Sequence, residues 1–149
     1  MKLTAHFALS EFTRSESAKR EGLDNTPTPE HLENLKTLCE KVLEPIRLKY
    51  GSINISSGYR GKMLNHFIGG SVSSDHCLGR AADIDMDDSG TGVTNKEIFE
   101  YIKDNLEIDQ LINEFNYSWI HVGYRKGANR KQILDAVKEN GKTVYHIHK

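Results

Sequence analysis

At 149 residues, 37% hydrophobic and 28% charged, the chain has the length for one domain around one core, and not comfortably for two. A formal net charge of −1 supplies no basic field to hold nucleic acid, and no run approaches the roughly 18 apolar residues of a membrane span. Two cysteines, Cys39 and Cys77, make no disulfide framework, and Met1 to Phe7 lacks the apolar stretch of a secretory signal, so the expectation is synthesis in a cytoplasm.

Phe7, Leu9 and Phe12 are apolar anchors near the N-terminus, and Ser10-Glu11-Phe12 can open a short helical turn. Asp24 to Pro29 reads as a loop, with Thr28 as N-cap and Pro29 at the first helical position, where its missing N–H costs nothing. Leu32, Leu35, Leu38, Cys39, Val42, Leu43 and Ile46 then recur at helical spacing, which predicts a helix over 29–49 with a kink at Pro45 and a stop at Gly51. Residues 52–56 alternate as a strand. Residues 57–80 are rich in Gly and Ser and read as a long functional loop around a short helix near 61–67.

Ala81 to Met86 reads as a second strand and Asp87 to Gly92 as a turn. Thr94 with Glu97 forms a capping box that opens a helix over 95–106. Gln110 to Phe115 and Trp119 to Tyr124 read as a hairpin joined through Asn116-Tyr117-Ser118. In the tail, Ile133, Leu134 and Val137 fit a helix, but Asn140-Gly141 before Thr143-Val144-Tyr145 favours a second hairpin. The sum is a single α+β domain over 1–149, an antiparallel sheet with helices packed on one side.

The segment Ser74-Asp75-His76-Cys77-Leu78-Gly79-Arg80-Ala81-Ala82-Asp83 carries the chemistry. A histidine on a Gly-flanked loop precedes a strand aspartate by seven positions, and His121 sits in the strand Trp119-Ile120-His121-Val122. Two imidazoles and a carboxylate are zinc donors, and three ligands leave a fourth position open for water. The bland alternative is a polar loop residue, a strand cap and a hydrogen-bonded sheet histidine.

Ser74-x-His76-x-x-Gly79-x-Ala81-x-Asp83, followed by Trp119-x-His121, resembles the zinc D-Ala-D-Ala carboxypeptidases and phage L-alanyl-D-glutamate endolysins, whose fold hedgehog signalling domains share. Ile55-Ser56-Ser57-Gly58-Tyr59-Arg60 and the stretch from Leu64-Asn65 to Gly69-Gly70 resemble the same family. Phe7-x-Leu9-x-Glu11-Phe12 and Leu43-Glu44-Pro45-Ile46-Arg47 are similar to a phage-associated branch. The resemblance covers nearly the whole chain. It implies Zn2+ held by His76, Asp83 and His121, a peptidoglycan peptide as substrate, Arg60 facing substrate or the developing oxyanion, and Ser74 beside the substrate. Ser74 serves equally well as a loop-stabilising hydroxyl, and Tyr59 and Tyr124 are candidates to line the cleft.

The resembled peptidases carry Glu or Asp three residues before the last histidine, where this chain has Ser118. Glu114 is the leading substitute as general base, because pairing with Trp119 would put it on the His121 face; Asp85 is the reserve. With no base at all, the domain would be a zinc-containing binding module or virion component without turnover. The expected setting is a small cytoplasmic peptidase, or a phage lysis protein made in the host cytoplasm and acting on the cell wall.

Overall fold

The principal helix begins at the cap that its sequence supplies. In the computed structural model, which describes residues 1–149, the Thr28 hydroxyl accepts a hydrogen bond from the His31 N–H, and Pro29 opens the helix. Two short helices, α1 (Ser10–Thr13) and α2 (Glu16–Glu21), precede it, and the helix itself, α3, runs over 29–50. Pro45 leaves its mark just upstream. Cys39–Leu43 widens into a π turn in which the Glu44 N–H donates to the Cys39 carbonyl. A proline offers no N–H and its ring crowds the carbonyl four residues earlier, so the ladder shifts register there and continues.

Strand β1 (Ile55–Ser57), helix α4 (Lys62–Phe67), a 3-10 turn (Asp75–Leu78) and strand β2 (Ala81–Ile84) follow. Helix α5 (Asn95–Asn105) carries the full capping box between Thr94 and Glu97. The remainder is strand: β3 (Gln110–Glu114), β4 (Trp119–Gly123), β5 (Gln132–Glu139) and β6 (Lys142–Ile147). Asn140 and Gly141 both adopt positive φ, 53° and 76°, and close the β5–β6 hairpin with Glu139 opposite Lys142. Helix α2 and the 3-10 turn are too short and too polar to leave a periodic signal.

The six strands lie in the order β1-β2-β4-β3-β5-β6. The class is α+β, as expected, but the sheet is mixed where an antiparallel one was expected: β3 and β5 run parallel, from Gln110 beside Gln132 to Glu114 beside Ala136. The return loop decides this. The Arg130 N–H donates to the Asp109 carboxylate and the Gln132 N–H to the Asp109 carbonyl, so β5 starts level with the start of β3 and follows its direction. Alternation in a strand sequence sets which face is buried but does not name the neighbour.

Leu35, Leu38, Val42 and Ile46 of α3 and Ile98, Phe99 and Ile102 of α5 join Ile84, Leu111, Ile120 and Val122 of the sheet in one cluster of 22 buried residues. The helices therefore cover one face. On the other face, Ile112, Leu134 and Ala136 form a small apolar floor. No helix is long and apolar enough to cross a membrane.

Candidate active site

Asp83 of β2 lies opposite His121 of β4, so both side chains leave the sheet on the face away from the helices. His76 reaches the same point from the 3-10 turn. Ser74 caps that turn by accepting a hydrogen bond from the His76 N–H at 3.2 Å. Gly79 ends it with φ +73°, and an added Cβ there would lie 2.4 Å from the His31 carbonyl oxygen, so only glycine lets the turn pass α3 and enter β2.

His76 is 2% exposed, and its Nδ1 lies 2.7 Å from the Gly58 carbonyl oxygen. A carbonyl only accepts, so Nδ1 carries a proton, and Nε2 faces Asp83 Oδ1, 3.3 Å away. His121 Nδ1 is 3.2 Å from the same oxygen. The two rings meet nearly edge to face, with centroids 5.1 Å apart. Ligand atoms of the three residues all lie within 4.8 Å of one another. Zinc bonds of about 2.0–2.1 Å in a tetrahedron put neighbouring ligand atoms about 3.3 Å apart, which the two distances from Asp83 to the imidazoles match. The donor set, the tautomer of His76 and the spacing fit a zinc ion. Burial raises the Asp83 pKa, but hydrogen bonds from His121 and His76 outweigh it and hold the carboxyl well below the usual range.

Glu114 stands opposite Trp119, and Ile112 opposite His121, so Glu114 shares the His121 face. It is 8% exposed, forms no ion pair and lines the same cleft, of about 750 Å³, as the three candidate ligands. Burial pushes its pKa above the ordinary carboxylate value; His121 opposes this and Asp83 adds to it. The turn beyond it is strained. Phe115, Asn116 and Tyr117 all have positive φ, 52°, 56° and 61°. Polar contacts hold that conformation: the Tyr117 N–H donates to Asn113 Oδ1 at 2.5 Å, the Ser118 hydroxyl donates to the Phe115 carbonyl at 2.7 Å, and Asn95 Nδ2 donates to the Tyr117 and Ser118 carbonyls. Ser118 is thereby committed to the turn.

Arg60 lines the cleft and donates from Nη2 to Ser74 Oγ at 3.2 Å. It forms no ion pair, and its Nε is buried without a partner. Ser74 thus braces both Arg60 and the His76 turn while also lining the cleft.

The other candidates lie elsewhere. Tyr59, read as a possible substrate contact, is in the core: its side chain packs with the hydrophobic cluster and its hydroxyl is 3.0 Å from His31 Nδ1. Tyr124 borders a different cavity. Strand β2 stops at Ile84, so alternation does not carry Asp85 onto the Asp83 face; its carboxylate instead accepts from the Asp87 N–H and Asn95 Nδ2. His146 and His148, near the C-terminus, pair with Glu139 and Asp135. Cys39 is core, and Cys77 is not in the donor group.

Arg125, Arg130, Gln132 and Tyr145 also line the cleft, and sequence reading singled out none of them for it. The parallel pairing of β5 brings the last two there, and no motif announces that pairing.

No curated protein matches the chain. Residues 5–123, four-fifths of its length, match the family Peptidase M15, whose members are zinc metallopeptidases, and the His-Asp-His group lies within that segment. The chain belongs to the Peptidase M15 family.

Proposed function

We propose that this protein is a zinc-dependent peptidase that hydrolyses a peptide bond in bacterial peptidoglycan. In this reading His76, Asp83 and His121 are the metal ligands, Glu114 is the general base and Arg60 the cationic partner of the reacting carbonyl. The carrying observation is that Glu114 shares a sheet face and a cleft with the three donors and has no ion-pair partner. Bound to those donors, zinc would acidify water and polarise the scissile carbonyl.

The chain's own groups have separate tasks. Gly58 fixes the His76 tautomer through its carbonyl. Glu114, its pKa raised by burial, takes the proton of the attacking water and can return it to the leaving amine. Arg60, unpaired by any acid, keeps its charge available for the oxyanion as it develops. The apolar floor of Ile112, Leu134 and Ala136 limits water beneath the substrate.

A second reading is a zinc-stabilised binding module without turnover. Ser118 favours it, since the resembled peptidases carry an acid there and this hydroxyl is engaged by the turn. Digestion of purified peptidoglycan with and without a chelator, followed by mass spectrometry, separates the two. New amines that vanish with the chelator are expected. Zinc binding with no new amine at any zinc level would overturn the peptidase reading in favour of the binding module.

A further inference from the structure

Arg125 and Arg130 follow β4, outside the segment shared with the family, and both line the cleft. One buried carboxylate anchors them. Asp109 is 0% exposed; Arg130 donates to its two oxygens from Nε and Nη2, each at 2.9 Å, and Arg125 Nε lies 3.2 Å from Oδ2. Arg125 Nη2 reaches Asp75 at 3.2 Å. The guanidiniums stay partly open, with side chains 35% exposed for Arg125 and 47% for Arg130. A guanidinium has five N–H donors; both Nη1 groups are without an acceptor in the chain, and the Arg125 Nε, though 3.2 Å from Asp109, makes no hydrogen bond. Burying a carboxylate to tie down two arginines is a poor stability device. It is a good way to hold two planar cations in fixed directions at the rim of a cleft.

Their place along the cleft is set by register. Gln110, opposite Gly123, precedes Ile112, opposite His121, by two residues, which is about 7 Å of strand. Arg125 is two residues past Gly123, and its partner Asp75 directly precedes His76. The arginine pair therefore lies beside the donor triad, at the end of β3 away from Glu114. A peptide residue spans about 3.5 Å, so a group bound there belongs to the first or second residue from the metal-facing carbonyl.

We propose that Arg125 and Arg130 form a carboxylate-binding subsite that seats an acidic group of the substrate within about two residues of the cleaved bond. The inference rests on the peptidase reading for what the bound peptide undergoes, but not for the binding itself. The carboxylate has two possible sources, the chain terminus or an internal acidic residue. The first would make the enzyme an exopeptidase, and the second lets chain continue on both sides.

The test uses the stem peptide L-Ala-γ-D-Glu-L-Lys-D-Ala-D-Ala and two analogues, one with the terminal carboxylate and one with the D-Glu carboxylate converted to carboxamide. Binding is measured on chelator-treated protein by the arginine Nε–H NMR signals, and cleavage on zinc-loaded protein. The expected result is that the parent peptide moves the Arg125 and Arg130 signals and that one amide binds roughly ten- to a hundredfold more weakly. Which amide loses affinity identifies the source. Arg130→Gln and Arg125→Gln are expected to weaken the parent and leave that amide unchanged. Equal binding of all three peptides, or parent binding that leaves both signals still, would overturn the subsite. Selective binding without cleavage would leave the subsite standing and overturn the peptidase reading. Cleavage indifferent to amidation would do the reverse.

Discussion

Glu114 and Trp119 face each other across the β3–β4 hairpin, and this pairing puts the Glu114 carboxyl on the sheet face of His121 and Asp83. A slip of one residue would turn it into the helical layer. Glu114→Gln keeps size and hydrogen bonding but removes the proposed base. It is expected to lower turnover about a hundred- to ten-thousandfold while zinc remains bound. Metal content and peptidoglycan hydrolysis are measured on one preparation; full turnover with zinc in place would exclude Glu114 from the role.

Gly58 links the N-terminal segment to the His-Asp-His group. An added Cβ would lie 2.6 Å from Phe12 Cα and 2.8 Å from its carbonyl oxygen, while the Gly58 carbonyl holds His76 Nδ1. Gly58→Ala must push these backbones apart and release the ring. Zinc affinity, read by isothermal titration, is expected to fall about ten- to a hundredfold, the usual cost of losing a histidine's outer partner.

Asn95 holds the strained turn after Glu114 from the start of α5. Its Oδ1 accepts from the Met86 N–H at 2.7 Å, and its Nδ2 contacts Asp85 Oδ1 and the Tyr117 and Ser118 carbonyls at 3.0–3.2 Å. Asn95→Ala leaves the buried Met86 N–H unpaired and takes a donor from the part-buried turn carbonyls. Urea denaturation is expected to show a loss of about 2–3 kcal/mol. Turnover is expected to fall as well, because the turn is then free to relax and carry Glu114 with it; an unchanged rate would separate the turn from catalysis.

Acid should act on the Asp109 clamp. Burial raises the Asp109 pKa, but the Arg130 hydrogen bonds outweigh it and lower the value in the folded protein. A lowered folded pKa contributes stability that is complete above the unfolded value, about 3.9, and is lost as pH falls through the folded value. Asp109→Asn is therefore expected to cost about 2 kcal/mol at pH 7, the range for hydrogen bonds to a charged group. The gap from the parent should narrow below about pH 3.9. Chemical denaturation at the two pH values measures it, and a gap that widens in acid would contradict the assignment.

Thr28-Pro29, Thr94 with Glu97, and Asn140-Gly141 are local devices, and each works within a few residues, so helix starts and the last hairpin were legible in the sequence. The His-Asp-His group that could hold a metal was legible too, because ligand chemistry restricts residue type and the motif spans few positions. The partner of β5 was not legible, since alternation specifies a face and not a neighbour. Tyr59 was misplaced for a related reason: an aromatic beside a site residue can point either way, and here the core took it. Sequence by itself pointed to His76, Asp83 and His121 as one donor group, and the structure brings them together. Tertiary structure decided that the hairpin takes the register that puts Glu114 on their face, and it alone brought Arg125 and Arg130 to the same cleft. Ligand identity is written in residue type, whereas a shared face depends on strand register and partner, which the packing of the whole sheet selects.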